Sequence, residues 1–212
     1  MNRRDLLRYF TAWGFAGECV SFLGRPAHAA PGGADVTTVL HDPDSPQGGN
    51  PKGDVTIVVY FDYNCPFCKK SMRDMKRFVA QDRKVRIVYK DWPILAPSSM
   101  TGAKLALAAK YQGKYQVVHD ALMAIPHGDA SEDEMREAAA ASGVNMARLA
   151  ADVEKHNDAI TALLQRNAAQ AQVLDLPGTP VYLIGPLKIA LALEYDGFAQ
   201  ATADARAELR KR

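Results

Sequence analysis

An α/β fold whose strands are interrupted by a long, all-helical block is what this chain predicts. An apolar, β-branched run at 55–61 leads into Cys65-Pro66-Phe67-Cys68, and an amphipathic segment follows at 69–78. A further strand signal at 85–91 is succeeded by helical spacing alone as far as residue 174. Short apolar runs then return after Gly178-Thr179-Pro180.

Residues 30–53 are rich in Gly, Pro, Asp and Ser, which predicts a flexible or surface-wrapped leader, with Val36-Thr37-Thr38-Val39-Leu40 as a β-prone patch able to form an edge strand. Residues 55–60 are too continuously apolar to be half-exposed, so they predict a central strand buried on both faces. The stretch 85–91 alternates apolar and polar and is ended by Trp92-Pro93. Met100, Leu105, Leu107, Ala108 and Tyr111 mark the next helix, and Tyr115, Val118, Leu122 and Ile125 the one after. Ser131-Glu132-Asp133-Glu134 is a capping box, with the Ser hydroxyl accepting the N3 amide and Glu134 reaching back. Gly143 suits the left-handed position after that helix. Met146, Leu149, Ala150 and Val153, then Ile160, Leu163, Leu164 and Ala168, give two more stripes. A helical stretch over 97–174 is an insertion rather than a loop. Beyond it, 180–184 is a strand, Gly185-Pro186 a turn, 188–193 its hairpin partner and 198–209 a closing helix. Residues 54–96 and 175–212 thus frame one α/β unit.

Net charge is +2 with the signs interspersed, which implies neither nucleic acid nor an anionic membrane surface as partner. Arg3, Arg4 and Arg8 precede a weakly apolar stretch from Tyr9 to Leu23, and Ala27-His28-Ala29 has the small-x-small pattern of a signal peptidase site. Residues 1–29 therefore read as an export signal cleaved near Ala29. Gly14, Gly17 and Glu18 make it too polar for a spanning helix, which needs ~20 apolar residues. A twin-arginine route and an ordinary secretory route both fit, and either ends outside the cytoplasm. The roughly 180 residues left can bury a core without stapling disulfides.

Cys19 falls in the export signal, leaving Cys65 and Cys68 as the thiols of the mature chain. Strand, Cys-x-x-Cys, helix is the setting of a thioredoxin-like redox centre. The spacing suits a small disulfide, Cys65–Cys68, that can open and close. As a purely structural bridge it would close so short a loop that the unfolded chain would be little restricted. Cys65 stands at the strand–helix junction, where free backbone N–H groups and the helix dipole favour a thiolate. Pro66 suits the first helical position, where its missing N–H is not needed. Cys68, one turn inward, is placed to resolve a mixed disulfide. No cofactor or metal is implied: His119 and His127 lack the close-spaced partners of a zinc site and read as surface or core-edge residues. Tyr63, Trp92 and Pro93 read as core or site rim, and Met72, Met75 and Met100 as core filling or an adaptable apolar rim.

Taken with Gly49-Asn50-Pro51-Lys52-Gly53-Asp54, the run Phe61-Asp62-Tyr63-Asn64-Cys65-Pro66-Phe67-Cys68-Lys69 and the late Gly178-Thr179-Pro180, nearly all of the mature chain resembles the DsbA family of exported thiol–disulfide oxidoreductases. The resemblance implies a thioredoxin-like fold with an inserted all-helical domain, in agreement with the strand gap. It also implies that Thr179-Pro180 faces the disulfide with a cis peptide bond, a minority state even before proline; on its own, Pro180 also reads as a trans proline at a strand start. Strongly oxidising relatives commonly carry His beside the second cysteine, whereas Phe67 brings no charge. A Cys65 pKa between ~3.5 and ~7 follows, with Lys69 and Lys70 as solvated cations nearby. The position six before the first cysteine often holds a buried carboxylate in relatives, and here it is Val59, so Cys68 must exchange protons with water or another group such as Lys69. After Gly185 the chain also departs from the Pro-Gly-Ala turn of many relatives, so the last strand and helix are expected to pack differently.

The activity implied is disulfide donation through Cys65–Cys68 to reduced or unfolded exported proteins, with re-oxidation by a membrane redox partner, in the periplasm. Residues 30–54 are too short and Gly/Pro-rich for a substantial oligomerisation domain, so a monomer is expected. A disulfide isomerase or reductase on the same fold is the nearest alternative, because direction is set by reduction potential and partner access. From another class, the thiol pair would also serve a non-catalytic thiol- or metal-binding protein or a chaperone-like module.

Overall fold

A computed structural model describes residues 36–211; the export signal and residues 30–35 lie outside the described residues. Strand β2 (Val55–Phe61) is the middle of the sheet, and every residue in it except Thr56 is buried, as its unbroken apolar run requires. Helix α2 (Pro66–Asp82) carries the chain over to β3 (Val85–Asp91), which pairs parallel with β2 from Val55↔Val85 to Phe61↔Asp91. Antiparallel strands complete both sides: β1 (Gln47–Gly49) on β3, and β4 (Val181–Ile184) followed by β5 (Leu187–Ile189) on the other flank, giving the order β1-β3-β2-β4-β5.

Alternation along the strands sends Ile57, Val59, Phe61, Ile87, Tyr89 and Tyr182 into the main core, shared with α2 and the closing helix α8 (Tyr195–Leu209). Val58, Tyr60 and Val88 point to the opposite face, where Val39 and Ala171 join them. Tyr60 and Phe61 are both fully buried, each worth roughly 1.5–3 kcal/mol of burial.

The leader departs from expectation. Val36–His41 forms a short helix, α1, rather than an edge strand, and the edge position is taken by β1. Of the two forms expected for the leader, residues 36–53 take the surface-wrapped one. Arg166 pairs with Asp42 at 3.1 Å and Asp44 at 2.7 Å, and the buried Lys90 Nζ donates to Ser45 Oγ at 2.9 Å. One helical turn is enough to bury Val39, and that tertiary contact overrides a weak local β preference.

The helical block comprises α3 (Pro97–Ala109), α4 (Tyr115–Ala124), α5 (Glu132–Ala141), α6 (Met146–Lys155) and α7 (Asn157–Val173), with a 3-10 turn at Lys110–Gln112. The capping box opens α5: Glu134 N donates to Ser131 Oγ at 3.3 Å and Ser131 N to Glu134 Oε2 at 2.8 Å. Gly143 follows with φ 77°, the left-handed conformation. The block is joined to the sheet at α7, where Tyr60 OH donates to Gln170 Oε1 at 3.2 Å and Asn167 Nδ2 to the Asp91 carbonyl at 3.0 Å.

The last hairpin is shorter than the apolar run suggests. β5 stops at Ile189, and Ala190-Leu191-Ala192 leave the sheet to line a hollow with Phe67 and the Pro177–Pro180 loop. Leu193 then accepts a bond from Ser71 Oγ at 2.6 Å, and α8 begins at Tyr195.

Candidate active site

The parallel crossover from β2 brings the chain to the start of α2 at the carboxyl end of the sheet. Cys65 is the N-cap residue, with extended backbone (φ −81°, ψ 111°), and Pro66 occupies the first turn. The Cys65 sulfur takes the capping role usually filled by an oxygen, accepting the Cys68 backbone N–H at 3.2 Å. On its other side its thiol donates to the Thr179 carbonyl at 3.3 Å. The Thr179-Pro180 bond is cis, and the Thr179 contact sets the loop before β4 against Cys65. Both cysteines are buried free thiols, the reduced form of the pair, while Phe67 between them is 66% exposed.

The sulfurs are electrostatically unequal. A hydrogen bond from the Cys68 thiol, the Thr179 side chain and the Cys68 and Phe67 N–H groups together outweigh burial and bring the Cys65 pKa down to about 6. Burial pushes Cys68 well above the usual thiol range, and its neighbour Cys65 pushes the same way. The Thr179 hydroxyl is buried without a partner of good hydrogen-bond geometry, yet it favours the thiolate form of both sulfurs. The value for Cys65 lies within the interval expected from the motif, but lysine charge is not its source. Lys69 is 2% exposed, and its Nζ donates to the carbonyls of Ile125 at 3.0 Å and His127 at 2.6 Å. Lys70 is exposed and pairs with Glu194 at 2.7 Å.

Asp62, Asn64 and Ser99 are not among the residues the sequence singles out, yet they hold the loop ahead of Cys65. Asp62 Oδ1 accepts from Asn64 N and Ser99 Oγ, both at 2.7 Å, and Oδ2 accepts from Ile94 N at 2.7 Å and Leu95 N at 2.9 Å. Asn64 Nδ2 donates to Ser98 Oγ at 2.8 Å, and its Oδ1 accepts from Ala130 N at 3.0 Å. Their signal was the Asp-x-Asn spacing just before a helix cap, which marks a side chain bonding to backbone two residues on.

Val59 is fully buried between Tyr89 and Tyr182, its register partners on β3 and β4. Behind Cys68, Tyr182 OH donates to Ser71 Oγ at 2.7 Å. His119 is buried rather than at the core edge, with Nδ1 3.0 Å from Tyr63 OH. Tyr63 and Met72 and Met75 are core, whereas Trp92 and Met100 line a separate hollow against α7. His127 bridges Asp129 and Glu134 on the surface of the helical block.

A cis-proline loop thus stands beside an N-capping Cys-x-x-Cys pair, on a sheet interrupted by helices. Residues 56–202 match the DSBA-like thioredoxin domain. The chain belongs to the DsbA-like family. A thioredoxin-like oxidoreductase from Silicibacter pomeroyi DSS-3 is 37% identical with a TM-score of 0.76, covering 82% of this chain and 99% of that one. The thiol-disulfide exchange protein alpha-DsbA2 from Wolbachia pipientis shares the fold at 24% identity and a TM-score of 0.73, over 79% of this chain and 90% of that one. A Na(+)/H(+) antiporter NhaA 1 from Mycobacterium sp. (strain KMS) is 28% identical over 142 residues, 64% of this chain and 22% of that protein's length. The chain thus spans about a fifth of that relative, and the transport its name describes is not carried over. This DsbA-like chain has a thioredoxin-like fold.

Proposed function

We propose that the protein is an exported disulfide donor, with Cys65 and Cys68 as catalytic residues supported by Pro66, Phe67, Thr179 and Pro180. The observation that carries this reading is the inequality of the two thiols, with Cys65 lowered to about 6. A thiolate stabilised at neutral pH stabilises the reduced protein, which makes its disulfide the stronger oxidant.

The reaction begins from the Cys65–Cys68 disulfide. A substrate thiolate attacks Cys65 Sγ, a new sulfur–sulfur bond forms, and Cys68 leaves as a thiolate that takes up a proton, as its raised pKa favours. A second substrate thiolate then attacks the substrate sulfur of the mixed disulfide. Cys65 leaves as a thiolate held by the Cys68 thiol, Thr179 and the helix N–H groups. The substrate has lost two electrons and the protein holds the dithiol. Phe67, Leu191 and the Pro177–Pro180 loop border a hollow of about 320 Å³, which suits an apolar side chain beside the cysteine of an unfolded exported protein.

Export rests on residues 1–29, and re-oxidation is assigned to a membrane redox partner on the periplasmic side. No helix among the described residues is long and apolar enough to cross a membrane. The protein acts as a monomer in this reading. The test uses the mature protein with reduced, unfolded ribonuclease and, separately, with ribonuclease bearing scrambled disulfides. A donor oxidises the first substoichiometrically with a terminal oxidant and does little to the second. Efficient unscrambling with poor oxidation would make it an isomerase instead.

A further inference from the structure

A second and larger hollow, of about 780 Å³, lies between α2 and α4 above the β1 side of the sheet, and none of its lining residues borders the hollow beside the cis-proline loop. Its existence follows from sequence. β1 brings Gly48 and Gly49 to this edge, two adjacent residues without side chains, so Gln47 is the one side chain of that strand in the lining and the gap between the helices stays largely unfilled. The bare backbone of Gly48 lies so close to the sheet that a Cβ there would meet the Tyr89 ring at 3.0 Å.

The lining is mostly apolar and adaptable: Met72, Met75 and Val79 from α2, Met123 and His119 from α4, and Tyr89 below. His119 is 2% exposed, and only its Nδ1 has a partner, Tyr63 OH. Its other nitrogen has no hydrogen-bond partner among the described residues and is not sealed in the core. Burial keeps this imidazole neutral at physiological pH, its pKa lying at about 4. The mouth is cationic. Lys76 pairs across it with Asp120 at 2.6 Å, while Arg73 and Arg83, on either side along α2, have no carboxylate partner among the described residues.

We propose that this hollow is a binding site for an anionic amphiphile, whose unbranched hydrocarbon tail lies between α2 and α4 and whose carboxylate is met by Arg73 or Arg83. Gln47, Asn50 and Gln116 add amide groups to the lining, but the stretch formed by Met72, Met75, Val79, Met123 and Tyr89 suits a hydrocarbon body, because a polar one would lose its hydration there without replacement. Arg73 Nε donates to the Lys69 carbonyl at 3.3 Å, but two guanidinium groups without a carboxylate partner among the described residues, beside an apolar slot, complement a carboxylate, which arginine binds through two parallel hydrogen bonds. The long, flexible methionines let the slot adjust to a tail without a fixed shape. The size falls in the range of small-molecule sites, roughly 300–1,000 Å³.

The test is a titration of the mature protein with dodecanoate, followed by NMR of ¹³C-methyl methionine. The expected result is saturable binding with Kd below ~100 μM, shifting Met72, Met75 and Met123 while Met135 and Met146 stay still. Dodecanol should bind at least about tenfold more weakly, and Arg73→Ala with Arg83→Ala should weaken dodecanoate by a similar factor. Ala80→Trp, at an exposed wall position, should abolish the shifts while the far-ultraviolet circular dichroism is unchanged. The proposal is overturned if no saturable shift occurs, if acid and alcohol bind alike and the arginine variants change nothing, or if Ala80→Trp leaves binding intact. Shifts confined to the surroundings of Phe67 and Leu191 would overturn it as well, by placing the ligand at the redox site.

Discussion

At the scale of single residues, two thiols three positions apart stand in different surroundings. Cys65 and Cys68 are both buried, but Cys65 caps the helix and gathers hydrogen-bond donors, whereas Cys68 is enclosed. The reduced protein should therefore show a thiolate absorbance transition at about pH 6 that disappears in Cys65→Ser. Thr179→Val should move that transition upward by up to about one unit, equivalent to ~1.4 kcal/mol; no movement would remove Thr179 from the site. The same shift links stability to pH. A thiol lowered by folding stabilises the reduced protein fully above its unfolded pKa, and the benefit is lost as pH falls through about 6. Urea unfolding of the reduced form should accordingly show stability rising between pH 6 and 9, a rise absent in the oxidised form and in Cys65→Ser. The placement of the Cys-x-x-Cys pair, Cys65 at the helix cap and Cys68 one turn inward, was legible in the sequence, because it follows from a strand–helix junction. The donor set was not, since Thr179 lies 114 residues away in sequence and reaches Cys65 only in the folded chain.

At the scale of elements, the loop before α2 is held from the helical block rather than by its own strand. Asp62 accepts four hydrogen bonds, from Asn64, Ser99, Ile94 and Leu95. Asp62→Asn puts an amide donor where donors already converge and should cost about 2–4 kcal/mol, measured by chemical denaturation, since buried donors left unpaired cost ~1–3 kcal/mol each. On the other side, Lys69 pins the carbonyls of Ile125 and His127. Lys69→Met should speed amide exchange across 125–130 and destabilise the fold by ~1–3 kcal/mol; unchanged exchange would show that the loop holds itself. Under the sheet, burial raises Asp91 to about 7, with Tyr115 OH bonded to it at 3.0 Å. A carboxyl raised by folding adds stability at low pH that is lost as pH climbs through about 7. The oxidised protein, free of the Cys65 effect, should thus lose stability between pH 4 and 7, and Asp91→Asn should flatten that slope. Helix signals with a local cause were readable, as the capping box at Ser131 shows. Elements decided by tertiary contact were not: Val36–His41 turns into a helix to bury Val39, and 190–193 leaves the sheet to meet α2.

At the scale of the molecule, the interrupted sheet was predictable because strand and helix periodicities are segregated along the chain. What the periodicity could not show is that the block and the sheet share one core, joined through Asn167, Gln170 and the Tyr63–His119 contact. It also could not show the gap between α2 and α4, which is a property of two helices and a glycine edge brought together from separate parts of the chain. The proposed function requires that one stabilised thiolate favour the reduced state of the thiol pair. The measurement that tests this most directly is the reduction potential of Cys65–Cys68 in glutathione buffers, with thiols trapped at equilibrium. A value more positive than about −200 mV, toward the ~−120 mV of the strongest oxidants, is the predicted result. A value near ~−270 mV, where thioredoxin lies, would contradict disulfide donation and make the protein a reductase on the same fold.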